Sequence, residues 1–137
     1  FKSYLSINTP LGINKRQNSD MNEEIPKKLS VEELNHWLTN HSTKPLVIDV
    51  RENTEVNIAQ FPPSELHLPL SASEEWIESV KDLLPKNRKI VVLCHKGVRS
   101  WHFCNWLIEQ GFEQEIWNLD GGIDLWSLRI DCTIPRY

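Results

Sequence analysis

Cysteine is scarce: Cys94, Cys104 and Cys132 make an odd count with no paired spacing. That excludes a disulfide-stapled secreted scaffold and points to a reducing compartment, where a reactive thiol survives. No CxxC or HxxxH pair is present. Cys94, His95, His102 and Cys104 lie close in sequence but lack structural-zinc spacing, so neither a metal nor a cofactor is expected. Positive charge is not in excess either. Fifteen Lys and Arg against 19 Asp and Glu leave a formal net charge of −4, which argues against nucleic acid or an anionic membrane as partner. No apolar run approaches the roughly 18 to 20 residues that span a bilayer, and no secretory h-region stands at the amino end. Internal repeats are also missing.

What is present suits one soluble globular domain: 137 residues, 39% hydrophobic and 25% charged, enough for one core and too short for two ordinary ones. Residues 1–24 stand apart, rich in Ser, Asn and Lys, with no acidic residue before Asp20. They read as a flexible arm ahead of a folded domain over 27–137, with Met21 a candidate natural start. A single arginine and the lack of an amphipathic period favour a disordered extension over a transit sequence. The expected compartment is therefore the cytoplasm, with an organellar stroma or matrix as the alternative if residues 1–24 are a transit remnant.

From Lys27 strand and helix signals alternate. Ser30 and Glu33 form a capping box opening a helix to about Asn40. The run Leu46-Val47-Ile48-Asp49-Val50 is short, β-branched and apolar, a buried strand with Asp49 and Arg51 at its carboxyl end. A helical turn over 55–59 is broken by Phe61-Pro62-Pro63, and Leu66-His67-Leu68 is a short strand stopped by Pro69. Trp76, Ile77, Val80, Leu83 and Leu84 have helical spacing, predicting one helix over 74–84, with Ser71 and Glu74 as a second capping box and Pro85 as its end. Ile90 to Leu93 is the most apolar strand. A helix over 101–110 follows, closed by Gly111 in a left-handed cap, and Ile116 to Leu119 is the last strand before Asp120-Gly121-Gly122. Strands separated by helices imply parallel pairing and a three-layer α/β domain, whose ligand crevice lies beyond the carboxyl ends of the strands.

The segment Cys94-His95-Lys96-Gly97-Val98-Arg99-Ser100 falls at that edge, between a buried strand and a helix start. Unpaired N–H groups and the positive dipole end there favour a thiolate, Gly97 permits the turn that aims successive N–H groups inward, and Lys96 and Arg99 add positive charge. The pattern is that of a nucleophile in an anion-binding cradle, with Ser100 placed to cap the helix. Trp76, Trp106 and Trp126 fall on apolar faces and read as core, while Trp101 either packs or faces a partner. Cys104 reads as a small buried hydrophobe, Cys132 as a weaker redox partner, and His36, His41 and His67 as surface or cap residues.

Several elements together resemble the rhodanese family of sulfurtransferases: Ile48-Asp49-Val50-Arg51 with Glu55 after it, the Cys-x-x-Gly-x-Arg-Ser loop, Gly111-Phe112, Asn118 to Ile123 with Trp126, and Pro135-Arg136-Tyr137. The similarity runs over about 27–137. It implies a mostly parallel central sheet of about five strands flanked by helices on both faces. One departure is Phe61-Pro62-Pro63-Ser64-Glu65, where many members have Gly-His-Ile.

The resemblance implies transfer of a sulfane sulfur through a Cys94 persulfide. The donor would be thiosulfate or another small sulfane-sulfur compound, and the acceptor cyanide, a thiol or a sulfur-carrier protein. His95, Lys96, Gly97, Val98 and Arg99 would bind the donor, with Lys96 orienting it and Arg99 either doing the same or pairing with a carboxylate. Asp49, Arg51 and Ser100 would support the loop. A rhodanese-like docking module would be expected to have lost the cysteine or loop glycine, and both are kept. Cysteine phosphatases and arsenate reductases typically place five residues between cysteine and arginine. Here four intervene, a loop better sized for one sulfur atom than for a tetrahedral oxyanion.

Overall fold

The computed structural model describes residues 25–137; the arm expected over 1–24 lies outside the described residues. Five strands form one sheet: β1 (Lys27–Leu29), β2 (Leu46–Asp49), β3 (Leu66–His67), β4 (Ile90–Leu93) and β5 (Ile116–Leu119), in the order β1-β5-β4-β2-β3 with every pairing parallel. The helices are α1 (Val31–Asn40), α2 (Asn53–Ile58), α3 (Ser73–Trp76), α4 (Val80–Leu83), α5 (Val98–Glu109) and α6 (Gly122–Arg129), with a 3₁₀ turn over Leu70–Ala72.

Side chains alternate across the pleat, so β2 and β4 feed two cores. Leu46, Ile48, Ile90 and Val92 point to one face and pack with Trp76, Val80, Phe103, Trp106 and Leu107. Val47, Val91 and Leu93 point to the other, joining Leu34, Leu119, Ile123 and Trp126. Both strands are buried along their whole length, which is why they read as unbroken apolar runs. Trp76, Trp106 and Trp126 are all core, and Cys104 is fully buried.

Ser30 caps α1 as expected, its hydroxyl accepting from Glu33 N while the Glu33 carboxylate accepts from Ser30 N. Gly111 takes φ +93° after α5, the left-handed turn its position requires. Three sequence readings are corrected, and one strand is added. The helix expected over 74–84 divides into α3 and α4, because Ser79 N bonds Trp76 O and Asp82 N bonds Ser79 O, tightening the chain to i→i+3 spacing between them. That turn buries Trp76, Ile77, Val80 and Leu84 together and leaves Leu83 40% exposed. Ser71 does not cap it; its N–H and hydroxyl both donate to the Glu52 carboxylate. Strand β1, which pairs with β5 in the register Leu29↔Leu119, carries too little apolar pattern to be read at three residues. Finally, α5 begins at Val98 rather than Trp101, with Gly97 as its N-cap residue. No helix among the described residues is long and apolar enough to cross a membrane.

Candidate active site

Cys94 follows β4 directly and is buried. The chain then turns at Gly97, whose φ of +104° is one that L side chains rarely adopt, and whose added Cβ would lie 3.2 Å from Gly121 N. This turn aims Gly97 N–H at Cys94 Sγ, 3.1 Å away. Ser100 Oγ stands 3.3 Å from the same sulfur. Asn118 Nδ2 donates to Gly97 O at 3.0 Å, which leaves Asn118 Oδ1 as the acceptor of the Ser100 hydroxyl at 2.5 Å. The serine hydroxyl thus lies between two acceptors, Asn118 Oδ1 and Cys94 Sγ. Its expected capping role is corrected: α5 has no side-chain cap, and the hydroxyl serves the interior of the site instead.

The loop's other side rests on α6. Ile123 N donates to Cys94 O and Asp124 N to His95 O, each at 3.0 Å, so loop carbonyls satisfy donors that a helix start leaves unpaired. Because the peptide is trans, each carbonyl facing α6 turns the following N–H, those of His95 and Lys96, away from it. Gly122 makes this approach feasible, since a Cβ there would fall 2.4 Å from Cys94 O.

Two acid–arginine pairs brace the surroundings. Asp49 and Arg51 are both buried and meet in a fork, with Arg51 Nη2 donating to Asp49 Oδ2 at 2.8 Å and Arg51 Nε to Oδ1 at 3.0 Å. Arg99 reaches across to α2, donating from Nη1 to Glu55 Oε1 at 2.6 Å and from Nη2 to Oε2 at 2.8 Å. Hydrogen bonds from Arg99 hold the Glu55 carboxyl down to about 2, against a desolvation that opposes ionisation. The same bonds push the Arg99 guanidinium further up. Tyr137 links the two pairs: its hydroxyl accepts from Arg51 Nη1 at 3.1 Å and donates to Glu55 Oε2 at 2.8 Å. Burial raises this phenol to about 12, keeping it a donor. Its ring stacks on His95 at 4.0 Å between centroids and 9° between planes.

The sequence-predicted residues thus divide by position. Cys94, Gly97 and Ser100 meet at the sulfur, and Asp49 and Arg51 pair with each other in the interior and reach Tyr137. His95 lies against Tyr137, Lys96 and Val98 face solvent, and Arg99 is held by Glu55. His67, read as a surface or cap residue, is half-buried with Nε2 2.6 Å from Arg51 O, because β3 lies beside β2. Asn118, Glu55, Gly122 and Tyr137 complete the site, and in sequence they carry no signal beyond the family motifs they belong to. Among the described residues no group of three or more His, Cys, Asp or Glu side chains is placed to hold a metal ion. A groove of about 630 Å³, lined by Trp37, Trp117, His36 and Lys89 among others, lies at the amino ends of the strands, away from Cys94.

The family model for the rhodanese-like domain matches residues 30–129. The chain belongs to the rhodanese-like domain family. It is 35% identical over 116 residues to the Arabidopsis thaliana rhodanese-like/PpiC domain-containing protein 12, chloroplastic, a match covering 83% of this chain and 38% of that protein. A sulfurtransferase from Allochromatium vinosum is 33% identical over 86 residues, covering 60% of this chain and 71% of the relative. Among solved structures, a single-domain sulfurtransferase from Saccharomyces cerevisiae shares the rhodanese fold with a TM-score of 0.62 at 21% identity, covering 83% of this chain and 98% of that one.

Proposed function

We propose that this rhodanese-like domain is a sulfurtransferase carrying a sulfane sulfur as a Cys94 persulfide. The observation that supports it is the contact of Gly97 N–H with Cys94 Sγ inside a loop whose carbonyls are turned onto α6. Such a loop holds negative charge with backbone donors and no bulky side chain. The Cys94 thiolate attacks the outer sulfur of a donor such as thiosulfate; the donor S–S bond breaks, a Cys94 S–S bond forms, and sulfite leaves with the electron pair of the broken bond. The terminal sulfur keeps its negative charge, resting among the loop N–H groups. A thiophilic acceptor, cyanide or a thiol, then takes that sulfur and returns the thiolate, a ping-pong sequence. Exposed Lys96 orients the donor, Gly97 holds the charge, and His95, Val98 and Arg99 shape the cradle's rim. Asp49, Arg51 and Ser100 keep the loop in place.

Intact mass spectrometry after incubation with thiosulfate tests this. A gain of one sulfur atom that requires Cys94, is absent in Cys94→Ser, and is reversed by cyanide with release of thiocyanate is the expected result. Cyanide reversal separates one sulfur from two oxygens of nearly equal mass. No Cys94-dependent adduct with thiosulfate or with methanethiosulfonate overturns the reading.

A further inference from the structure

The cations around Cys94 are not equally available. Arg51 is committed to Asp49, and Arg136 pairs with Asp124 at 3.1 Å beside the loop. Arg99 has both terminal nitrogens on Glu55. That carboxylate is saturated: Oε1 accepts from Arg99 Nη1 and from Glu52 N at 3.1 Å, while Oε2 accepts from Arg99 Nη2 and Tyr137 Oη. Two donors on each oxygen use all its lone pairs. The charge of the arginine is thus balanced by a carboxylate that Arg99, Tyr137 and the Glu52 N–H fix in place, with two of the guanidinium's five N–H groups committed there. Among the described residues of the loop, Lys96 is the basic side chain with no ion-pair partner.

Resting on the sulfurtransferase reading, we propose that Glu55 is a specificity-determining residue. By cancelling Arg99 it makes the cradle favour sulfur donors with a single negative charge, such as persulfides and thiosulfonates, over the thiosulfate dianion. The unpaired Lys96 and the Gly97 N–H balance one negative charge. A second charge on the ligand meets an arginine whose charge Glu55 already offsets.

The experiment follows protection of Cys94 from the neutral reagent iodoacetamide, read by peptide mass at Cys94. The probes are sulfate and methanesulfonate at equal ionic strength, similar head groups with two charges and one. In the natural sequence sulfate protects no better than methanesulfonate. In Glu55→Gln, sulfate protection tightens about fivefold or more relative to methanesulfonate, the size one unit charge exerts at a few ångström even under water-like screening. In the double variant Glu55→Gln with Arg99→Gln the ratio returns to its original value, because the uncovered charge is gone. An unchanged ratio in Glu55→Gln, a shift that persists in the double variant, or no protection by either anion overturns the proposal. In sulfur transfer, kcat/KM for thiosulfate relative to methanethiosulfonate moves the same way. If Cys94 takes sulfur from neither donor, the transfer reading falls while the alkylation result still judges Glu55.

Discussion

Asp49–Arg51 and Glu55–Arg99 are both carboxylate–guanidinium forks within one site, and they are built for different ends. The first is local, two residues apart at the end of β2, with side chains 3% and 0% exposed. The second joins α2 to α5 across 44 residues, with side chains 18% and 38% exposed. A buried charge stripped of its partner carries its full desolvation penalty, whereas water makes good most of what a partly exposed one loses. The interior pair therefore belongs to folding, and the outer pair is free to set the charge that a ligand meets.

The largest effect should come from breaking the interior pair. Asp49→Ala or Arg51→Ala is expected to cost about 3–5 kcal/mol in urea unfolding, and Glu55→Gln less; equal costs would erase the distinction. Acid sharpens it next. Glu55 is held at about 2 against an ordinary 4.5, so its contribution is full above about pH 4.5 and disappears as pH falls toward 2. The stability gap between the natural sequence and Glu55→Gln should accordingly narrow over that interval, as followed by circular dichroism; a gap constant with pH would contradict the bond pattern. The smallest effect belongs to the hydroxyl that joins the pairs. Tyr137→Phe keeps the ring on His95 and should cost about 0.5–1.5 kcal/mol, with the loss partly shared with Glu55→Gln in a double-mutant cycle. Strict additivity would mean that the Tyr137–Glu55 bond contributes nothing.

The features legible in the sequence were those whose cause is local. Ser30 and Glu33 satisfy each other over three residues, β2 and β4 are apolar because both faces are covered, and Gly111 turns where a helix must end. Cys94 was readable for the same reason, as a cysteine between an apolar run and a glycine turn. What stayed hidden depends on partners distant in sequence. Ser100 looks like a cap until Asn118, 18 residues on, accepts from its hydroxyl. Whether Arg99 bound a donor or a carboxylate was undecidable until α2 placed Glu55 against it. Tyr137 could be quoted as part of a resemblance, but the stack on His95 and the bond to Glu55 arise only when the last turn folds back over the loop. The split of α3 from α4 is also tertiary, since helical spacing alone cannot show that Leu83 has no core to enter.

Tyr137 also gives the site a timetable. The sulfur sits just past the middle strand of the sheet, yet Asn118 comes from β5 and residue 137 reaches back to His95. Such long-range closures come late in folding and are paid for in chain entropy before they are rewarded. On the ribosome, Cys94 is translated 43 residues before Tyr137, so a nascent chain carries the thiol well before it carries the complete cradle. The stack on His95 therefore forms only after synthesis has reached residue 137.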